Sequence, residues 1–232
     1  MPGEADSLTR IATRALEYVA SGDTIGLGTG RAATAFVRRL GAAIRDGLKV
    51  VGVPTSESTA ALARDLGIPL RRLDEIDELA TTFDGADEVD PGLDLIKGYG
   101  GALVREKIVA ASSRRRVMLV GEEKLVRVLG ERGKLPVEVV PFGLSLCVRE
   151  LRKLGTRPVV RSADGQRFVT DNGNFILDCG VDPIADPAGF ESRILAIPGV
   201  VGTGMFIGMA DVVLIQIGED VETRERGTVS RS

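Results

Sequence analysis

The stretch TIGLGTGRAATAFVRRLGAAI, residues 24–44, combines a short apolar run, a glycine-rich loop and an amphipathic segment. Its first four residues predict a β-strand, because they are apolar or β-branched and a glycine loop follows them. The apolar side chains Ala33, Phe36 and Leu40 then recur at a helical spacing that puts them on one face. This stretch therefore predicts one strand–loop–helix unit.

The same alternation continues as far as residue 120. We expect an N-terminal helix, strands and further helices in this order: strand 49–53, helix 56–66, strands 69–73 and 80–84, helix 102–111 and strand 116–120. Alternating strands and helices favour an α/β fold, in which a mostly parallel sheet carries helices on both faces.

The pattern changes after Gly121, where the predicted strands outnumber the helices. A helix is expected at 143–154, and the segments RPVVRS and RFVTDNGNFILDC are typical of an antiparallel pair. Two more apolar strands between residues 200 and 218 are expected to return to the first sheet. The resulting prediction is an α/β domain at 1–129 and 201–222, a smaller α+β domain at 130–200, and a disordered polar tail at 223–232.

The composition argues against several classes of partner. A net charge of -3 offers no basic surface for a phosphodiester backbone, and aromatic residues make up only 4% of the chain. Cys147 and Cys179 lack the CxxC spacing of a thiolate metal site. No apolar run approaches the roughly 18 residues of a membrane span, and the N-terminal segment lacks the apolar core of a signal peptide. We therefore expect a cytoplasmic protein that binds neither nucleic acid nor membranes.

The first glycine loop has the form G-x-G-x-x-A, with Gly28, Gly30 and Ala33. This is a weak dinucleotide-binding signal, because the next carboxylate that could hold a ribose is Glu57, and the second strand ends without one. Backbone N–H groups at the start of a helix also form a site for a single phosphate. The loop is interpreted as a phosphate site, with a tight turn of no binding role as the alternative.

The second glycine loop, KGYGGALVREK at residues 97–107, adds a cation to the same arrangement. Gly98, Gly100 and Gly101 let the backbone approach a ligand closely, and Lys97 brings an ammonium group. The positive end of the following helix points at the loop. The loop is therefore suited to negative charge that develops during a reaction, although a strand cap beside a solvated lysine is the simpler alternative.

Carboxylates concentrate in DGADEVD, residues 84–90. Asp84 ends a predicted strand, at the sheet edge where open α/β folds bind ligands, and Asp87 follows in the loop. Glu106 falls about one turn into the helix after the lysine loop. The other acids are predicted to be solvated surface charges: Glu88, Asp90 and Asp94.

The absence of histidine limits which residues could bind a metal or transfer a proton. The chain has no histidine, and its acids lack the D-x-[DN]-x-[DN]-G spacing of a calcium loop, so we expect no metal and no cofactor. Proton transfer must then use a carboxylate, lysine or tyrosine. A carboxylate base, a cation and an anion-binding loop together favour proton abstraction beside a carbonyl group, with an enediolate stabilised by the cation and by N–H groups.

Six motifs resemble those of the type A ribose-5-phosphate isomerase family, in the same order and spacing. The resemblance covers nearly the whole chain except the C-terminal tail, and the motifs are GLGTGRAA, PTSESTAALARDLGIPL, DGADEVD, KGYGGALVREK, GKLPVEVVPF and TDNGNFILD. It implies a Rossmann-like domain with a smaller α+β domain, a homodimer or homotetramer, and metal-free interconversion of ribose 5-phosphate and ribulose 5-phosphate in the pentose phosphate pathway.

The resemblance also implies roles for individual residues. Glu106 would be the base acting between C1 and C2, and Asp84 and Asp87 would bind sugar hydroxyls and assist ring opening. Lys97 would stabilise the enediolate together with the adjacent glycine backbone. The full set implied to bind substrate is Thr29, Gly30, Arg31, Ala32, Asp84, Gly85, Ala86, Asp87, Lys97, Gly98, Tyr99, Gly100 and Lys124.

Two loop positions depart from the family pattern. Many members have GTGST where this chain has Arg31 and Ala32, so a guanidinium replaces two hydroxyl groups. Arg31 either grips phosphate bidentately or faces solvent. Tyr99 replaces a glycine of KGGGGA, so it is either strained by a positive φ or covers the site with its ring.

Two other functions stay open at the level of sequence. A non-catalytic sugar-phosphate sensor on the same fold would tolerate the altered phosphate loop and would not need Glu106. A nicotinamide-dependent oxidoreductase would need detectable NAD binding, which we do not expect.

Overall fold

The computed structural model describes residues 4–227, with side chains from Leu8 onward. Six α-helices lie within this range: α1 (Glu4–Ala15), α2 (Arg31–Arg45), α3 (Glu57–Asp65), α4 (Leu103–Ala111), α5 (Leu144–Lys153) and α6 (Pro187–Leu195). The strands of the same range are β1 (Thr24–Leu27), β2 (Val51–Pro54), β3 (Leu79–Asp84), β4 (Glu88–Val89), β5 (Leu95–Ile96), β6 (Ser113–Gly121), β7 (Lys134–Val139), β8 (Arg157–Val160), β9 (Ser162–Ala163), β10 (Gln166–Arg167), β11 (Phe175–Gly180), β12 (Val200–Thr203), β13 (Met205–Phe206), β14 (Val212–Ile217) and β15 (Asp220–Glu225).

Contacts divide the chain into two units. The first unit comprises the chain up to Ala86, Arg105–Lys124 and the chain from Met209, and the second comprises Asp87–Val104 and Leu125–Gly208. The sequence-based division differs at residues 87–104, 125–129 and 201–208, which it assigns to the larger domain. Residues 87–104 and 201–208 belong to the second unit because β4 pairs with β5, β5 pairs with β13, and β12 pairs with β7.

The first unit contains a six-stranded sheet in the order β15-β14-β6-β3-β1-β2. Its strands pair in parallel except β15, which is antiparallel to β14. The predicted mostly parallel α/β sheet is thus confirmed. The predicted disordered tail is wrong for residues 223–225, which complete β15, while residues 228–232 lie outside the described residues.

Helices cover both faces of this sheet. Ile25 and Leu27 of β1 pack in a core cluster with Phe36 of α2, whose ring stacks on Phe83 of β3 at a centroid distance of 4.2 Å. Gly26 points to the other face, where a Cβ would meet Val109 Cγ1 of α4 at 2.5 Å. Side chains alternate along a strand, so α2 and α4 must lie on opposite faces.

The second unit contains a four-stranded antiparallel sheet in the order β12-β7-β11-β8 and a small sheet in the order β13-β5-β4. Apolar side chains of the four-stranded sheet, α5 and α6 form one core cluster, including Val137, Leu151, Leu177 and Ile194. The predicted antiparallel pairing of the segments before α6 is confirmed by β8 and β11.

Two predicted strands come out differently. The segment 69–73 forms only an isolated bridge between Leu70 and Gly52, and Leu73 begins a 3-10 turn. Pro69 has no N–H to donate to a ladder, which limits strand pairing there. Of the two strands expected after residue 200, β14 joins the large sheet, but β12 pairs with β7 of the second unit.

Candidate active site

The first glycine loop lies between β1 and α2 in the first unit. Gly30 has a φ of 106° and caps α2, and its carbonyl accepts the N–H of Thr34 at 2.8 Å. Arg31 is the first helical residue and is exposed. Because the first N–H groups of a helix have no partner within it, this loop has the local form of an anion site.

A group of hydroxyls fixes this loop to the start of α3. The Oγ1 of Thr29 lies 2.8 Å from Thr55 Oγ1, 2.8 Å from Ser56 Oγ and 3.2 Å from Thr59 Oγ1. Ser56 also caps α3, accepting the N–H of Thr59 at 3.1 Å. The sequence interpretation missed this hydroxyl group, although the S-x-x-T spacing after a strand is an N-cap signal that could have indicated it.

Asp84 lies at the end of β3 and is only 3% exposed. Its Oδ1 accepts the N–H groups of Thr29 at 3.2 Å and Gly85 at 2.8 Å. A Cβ at position 28 would lie 2.3 Å from that same Oδ1, so only glycine leaves room for the carboxylate. Asp84 thus lies directly against the predicted phosphate loop.

Glu106 lies in the first turn of α4, as predicted, and is 4% exposed. The positive end of a helix favours a carboxylate at this position. Its neighbour Arg105 pairs with Glu57 of α3, with 3.0 Å between Nη1 and Oε1.

Lys124 ends a 3-10 turn after β6 in the same unit and is partly exposed.

Lys97 directly follows β5 in the second unit and is 3% exposed. Its N–H donates to the carbonyl of Gly204 at 2.8 Å, and its Nζ lies 5.4 Å from the centroid of the Phe206 ring. The pairing of β5 with β13 brings Phe206 beside this lysine. The alternative of a solvated lysine is therefore wrong, because Lys97 is buried.

The loop after Lys97 turns at Gly98 and Gly101, which have φ values of 103° and 91°. Tyr99 is not among the residues with positive φ, so the strained alternative does not apply to it. Its ring packs against the core of the second unit and lies 4.3 Å from Lys134 Nζ, and its hydroxyl donates to the Lys134 carbonyl at 3.3 Å. Burial raises the pKa of the Tyr99 phenol above its ordinary value.

Asp87 contacts the second glycine loop through its carboxylate. Its N–H donates to the Ile96 carbonyl at 2.8 Å, and its Oδ2 accepts the N–H of Tyr99 at 2.9 Å.

The predicted site residues fall into two groups, one in each unit. The first unit holds Thr29–Ala32, Asp84, Gly85, Ala86, Glu106 and Lys124, and the second unit holds Asp87 and Lys97–Gly100.

The prediction that Glu88 is a surface charge is wrong. Glu88 is 0% exposed, and its carboxylate accepts the N–H groups of Gly130 at 2.6 Å and Arg132 at 3.0 Å. Burial raises its pKa, and the two N–H groups partly oppose that shift. Asp90 and Asp94 are partly exposed, and their carboxylates accept the backbone N–H groups of Asp94 at 2.9 Å and of Gly208 at 2.8 Å, respectively.

Arg161 was not predicted and contacts the second glycine loop. Its Nη1 donates to the carbonyls of Gly98 at 3.0 Å and Tyr99 at 3.1 Å. Its Nε and Nη2 donate to the two oxygens of Asp178 at 3.0 and 2.5 Å. Nothing in the local sequence around Arg161 indicates this contact with a loop some 60 residues away.

Residues 4–227 contain neither a cluster of metal-binding side chains nor a helix that could span a membrane. No three acidic or cysteine side chains in this part of the chain are placed to hold a metal ion together. None of its helices combines the length and the apolar character that crossing a membrane requires.

Comparisons with known proteins point in one direction. Residues 51–220 match the family described as Ribose 5-phosphate isomerase A (phosphoriboisomerase A). The Ribose-5-phosphate isomerase A of Roseiflexus castenholzii is 56% identical over 209 residues, which is 89% of each chain.

Solved structures agree with the sequence comparisons. Ribose 5-phosphate isomerase A from Methanocaldococcus jannaschii is 42% identical and superimposes with a TM-score of 0.91, covering 96% of this chain and 100% of that one. A D-ribose-5-phosphate isomerase in complex with phospho-erythronic acid is 37% identical with a TM-score of 0.91, covering 96% of this chain and 98% of that one. By its sequence, its fold and the residues described above, this chain belongs to the ribose 5-phosphate isomerase A family.

Proposed function

We propose that the chain interconverts D-ribose 5-phosphate and D-ribulose 5-phosphate through an enediolate, as a step of the pentose phosphate pathway and without a metal or cofactor. In the open-chain aldose, the proton on C2 is acidic because it is adjacent to the C1 carbonyl. Its removal leaves an enediolate. The proton then returns to C1 and the O2 proton moves to O1, which gives the ketose with no net gain or loss of protons. The protein must supply a base and stabilise the negative charge that develops on oxygen.

Glu106 is the base in this proposal. As a carboxylate it takes the C2 proton, and as a carboxylic acid it returns that proton to C1. Its burial at 4% exposure supports this role, because a base shielded from bulk water does not lose the abstracted proton to solvent before returning it. Its place on a rigid helix also fixes its position.

Asp84 and Asp87 bind the sugar hydroxyls and assist ring opening. Asp84 accepts the N–H groups of Thr29 and Gly85, and Asp87 accepts the N–H of Tyr99, so both carboxylates are held in place, and carboxylate oxygens are acceptors for hydroxyl donors. Gly85 and Ala86 provide the backbone between them.

Lys97 and the backbone from Gly98 to Gly100 stabilise the enediolate. The ammonium group of Lys97 sits in a buried environment, in which charge interactions are stronger than in water. The positive φ of Gly98 gives the loop a backbone conformation that residues with side chains rarely adopt.

The loop Thr29–Ala32 and Lys124 bind the phosphate end of the substrate. Support comes from the N-terminus of α2, which favours an anion, and from the exposed guanidinium of Arg31 on its first turn. Lys124 adds a second cation in the same unit.

The observation that carries the proposal is the burial of three charged residues at the positions of the family motifs. Asp84, Lys97 and Glu106 are 3%, 3% and 4% exposed. Burying a charge costs stability, so charges retained inside a protein are commonly functional.

The decisive test compares the wild type with Glu106→Gln in a ketose-formation assay with ribose 5-phosphate and EDTA. We expect a metal-independent wild-type rate and a loss of about 10²- to 10⁴-fold in kcat for the variant, because general base catalysis has that typical magnitude. Glu78→Gln is the matched control, since Glu78 is an exposed acid of the same unit that pairs with Arg114.

Each result of this assay separates the candidates. Equal rates for the wild type and Glu106→Gln would refute the base. A wild type that binds ribose 5-phosphate without converting it would favour a non-catalytic sensor, and NAD-dependent turnover would favour an oxidoreductase.

The proposal includes a cytoplasmic location and a homodimer or homotetramer. Cys147 and Cys179 are free buried thiols, which fits a reducing compartment. Phe142 of the second unit is fully exposed, and burying a large aromatic side chain against another copy would be favourable.

A further inference from the structure

We infer that Arg161, clamped by Asp178, is the residue that holds the second glycine loop in the orientation required to stabilise the enediolate. This inference rests on the proposed isomerase function and extends it to a positioning residue outside the family motifs quoted above. The geometry that carries it lies within the second unit.

The side chain of Arg161 links a carboxylate to two carbonyl oxygens. Asp178 accepts Nε and Nη2 at 3.0 and 2.5 Å, and Nη1 donates to Gly98 O at 3.0 Å and to Tyr99 O at 3.1 Å. The Arg161 side chain is 10% exposed, and its Cζ lies 5.8 Å from the centroid of the Phe168 ring. The guanidinium group is therefore fixed from several directions.

These two contacts, together with the hydrogen bond from the Gly101 N–H to Gly98 O at 3.0 Å, fix the direction in which the loop's N–H groups point. The carbonyls of Gly98 and Tyr99 belong to the peptide groups whose N–H groups are those of Tyr99 and Gly100. In a trans peptide, the carbonyl and the N–H point in opposite directions. The Tyr99 N–H accordingly donates to Asp87 Oδ2 at 2.9 Å, and the Gly100 N–H is directed away from Arg161.

The charge of Arg161 acts in addition to its geometry. A cation at a carbonyl oxygen polarises the whole peptide group and makes its N–H a stronger donor. The Gly100 N–H, which belongs to the set proposed to stabilise the enediolate, is thus both oriented and strengthened. Stabilisation of this kind matters only when negative charge develops, so it acts on the transition state rather than on substrate binding.

Lysine cannot reproduce this arrangement. Four donor contacts in one plane match the fork of a guanidinium, whereas an ammonium is a point donor on a flexible chain. Arg161→Lys therefore keeps the charge but releases either the carboxylate or the loop carbonyls. Arg157→Gln is the matched control, because Arg157 lies on β8 four residues before Arg161 and its side chain forms an exposed ion pair with Asp182.

The experiment measures kcat and KM for ribose 5-phosphate, the inhibition constant of phospho-erythronic acid and the thermal stability of the wild type, Arg161→Lys, Arg161→Gln and Arg157→Gln. We expect both Arg161 variants to lose about 10- to 100-fold in kcat with a KM change below about threefold, since a misdirected oxyanion donor affects the transition state. We expect phospho-erythronic acid, whose carboxylate carries charged oxygens as the enediolate does, to bind more weakly by a factor similar to the loss in kcat. Arg157→Gln should match the wild type.

Several outcomes would overturn the role of Arg161. One is a lower melting temperature with unchanged kcat and inhibition constant, since that is the result of a purely structural contact. Another is a rise in KM as large as the fall in kcat. If neither variant folds, the wild-type amide resonance of Gly100 tests a contact that the role of Arg161 requires: a shift on adding phospho-erythronic acid supports this contact, and no shift refutes the role.

Failure of the proposed function would look different. A wild type without isomerase activity would refute the function itself. An active wild type that Arg161→Lys matches in kcat and inhibition would refute only the role of Arg161.

Discussion

At position 28 a missing side chain makes space for a functional one. Asp84 Oδ1 occupies the space that a Cβ on Gly28 would take, and Phe83 O lies only 2.6 Å from the same point. The carboxylate can therefore lie against the backbone and accept the N–H of Thr29. A glycine with an ordinary φ is thus required here by close approach rather than by backbone conformation.

We expect Gly28→Ala to reduce both activity and stability. The added methyl group must displace Asp84 or separate β1 from β3, and overpacking of this kind costs about 1–3 kcal/mol. Kinetics with ribose 5-phosphate and thermal unfolding check the expectation. Gly92→Ala is the control, since the nearest atom to its Cβ is a side-chain oxygen of Asp90 at 3.3 Å. A Gly28→Ala enzyme with wild-type kinetics would contradict the placement of Asp84.

Site residues could be predicted from the sequence only where one motif indicates both the type of side chain and its place in the fold. Asp84 and Glu106 were found because each follows a recognisable strand end or helix start. Arg161 and the burial of Glu88 could not be found, because both depend on contacts between segments far apart in the chain. The roles of the motif residues themselves remain predictions.

At the scale of elements, three strands of two residues position Lys97 and Asp87. The sheet β13-β5-β4 lies within the second unit, and β5 ends immediately before Lys97. Two-residue strands have no measurable periodicity, so the sequence did not predict them. The parallel strands and the helices of the large sheet were predicted within a few residues, but its antiparallel edge strand β15 was not. The buried Glu88 of β4 fastens this small sheet to the segment around Gly130.

Glu88 should make stability depend on pH in a defined direction. Burial raises its pKa in the folded state, so the stabilisation linked to its protonated form is present below the ordinary value of 4.5 and is lost as pH rises through the raised pKa. We therefore expect the unfolding free energy of the wild type to fall relative to that of Glu88→Gln as pH rises above 4.5. Urea unfolding at several pH values measures this difference.

Glu131 provides a control, because its pKa is shifted in the direction opposite to that of Glu88. Hydrogen bonds from Arg127 lower the pKa of Glu131, so its contribution is present at higher pH and is lost as pH falls. Glu131→Gln should therefore show the reverse trend. Parallel pH profiles for the two variants would contradict the assignment of Glu88 as a carboxyl group with a raised pKa.

At the scale of the whole molecule, the second unit carries exposed apolar side chains that its own core does not use. Phe142 is fully exposed, and Val140 and Val201 are each 40% exposed. Val140 directly follows β7 and Val201 lies on β12, and these two strands are neighbours because Val139 pairs with Val200. If the chain forms the proposed homodimer or homotetramer, we expect Phe142, Val140 and Val201 to be buried against another copy, because burying exposed apolar side chains is favourable.

We expect the wild type to be a dimer or tetramer by light scattering, and Phe142→Asp to lower the mass at micromolar concentration. A charge at the centre of a buried apolar contact is unfavourable. Val159→Asp on β8, the opposite edge of the same sheet, is the control for adding a charge to an exposed valine. A monomeric wild type, or an equal effect of both variants, would contradict the assignment.

The order of strands in the large sheet has a consequence for biosynthesis. β6 spans Ser113–Gly121, but its partner β14 is not made until Ile217 has left the ribosome. By then every segment of the second unit, which ends at Gly208, has already been synthesised. Domains tend to fold as units during translation, so a nascent chain can complete the second unit while the edge of β6 is still unpaired. An unpaired edge is a template for aggregation, so the interval between the synthesis of β6 and β14 is when the growing chain most needs chaperones.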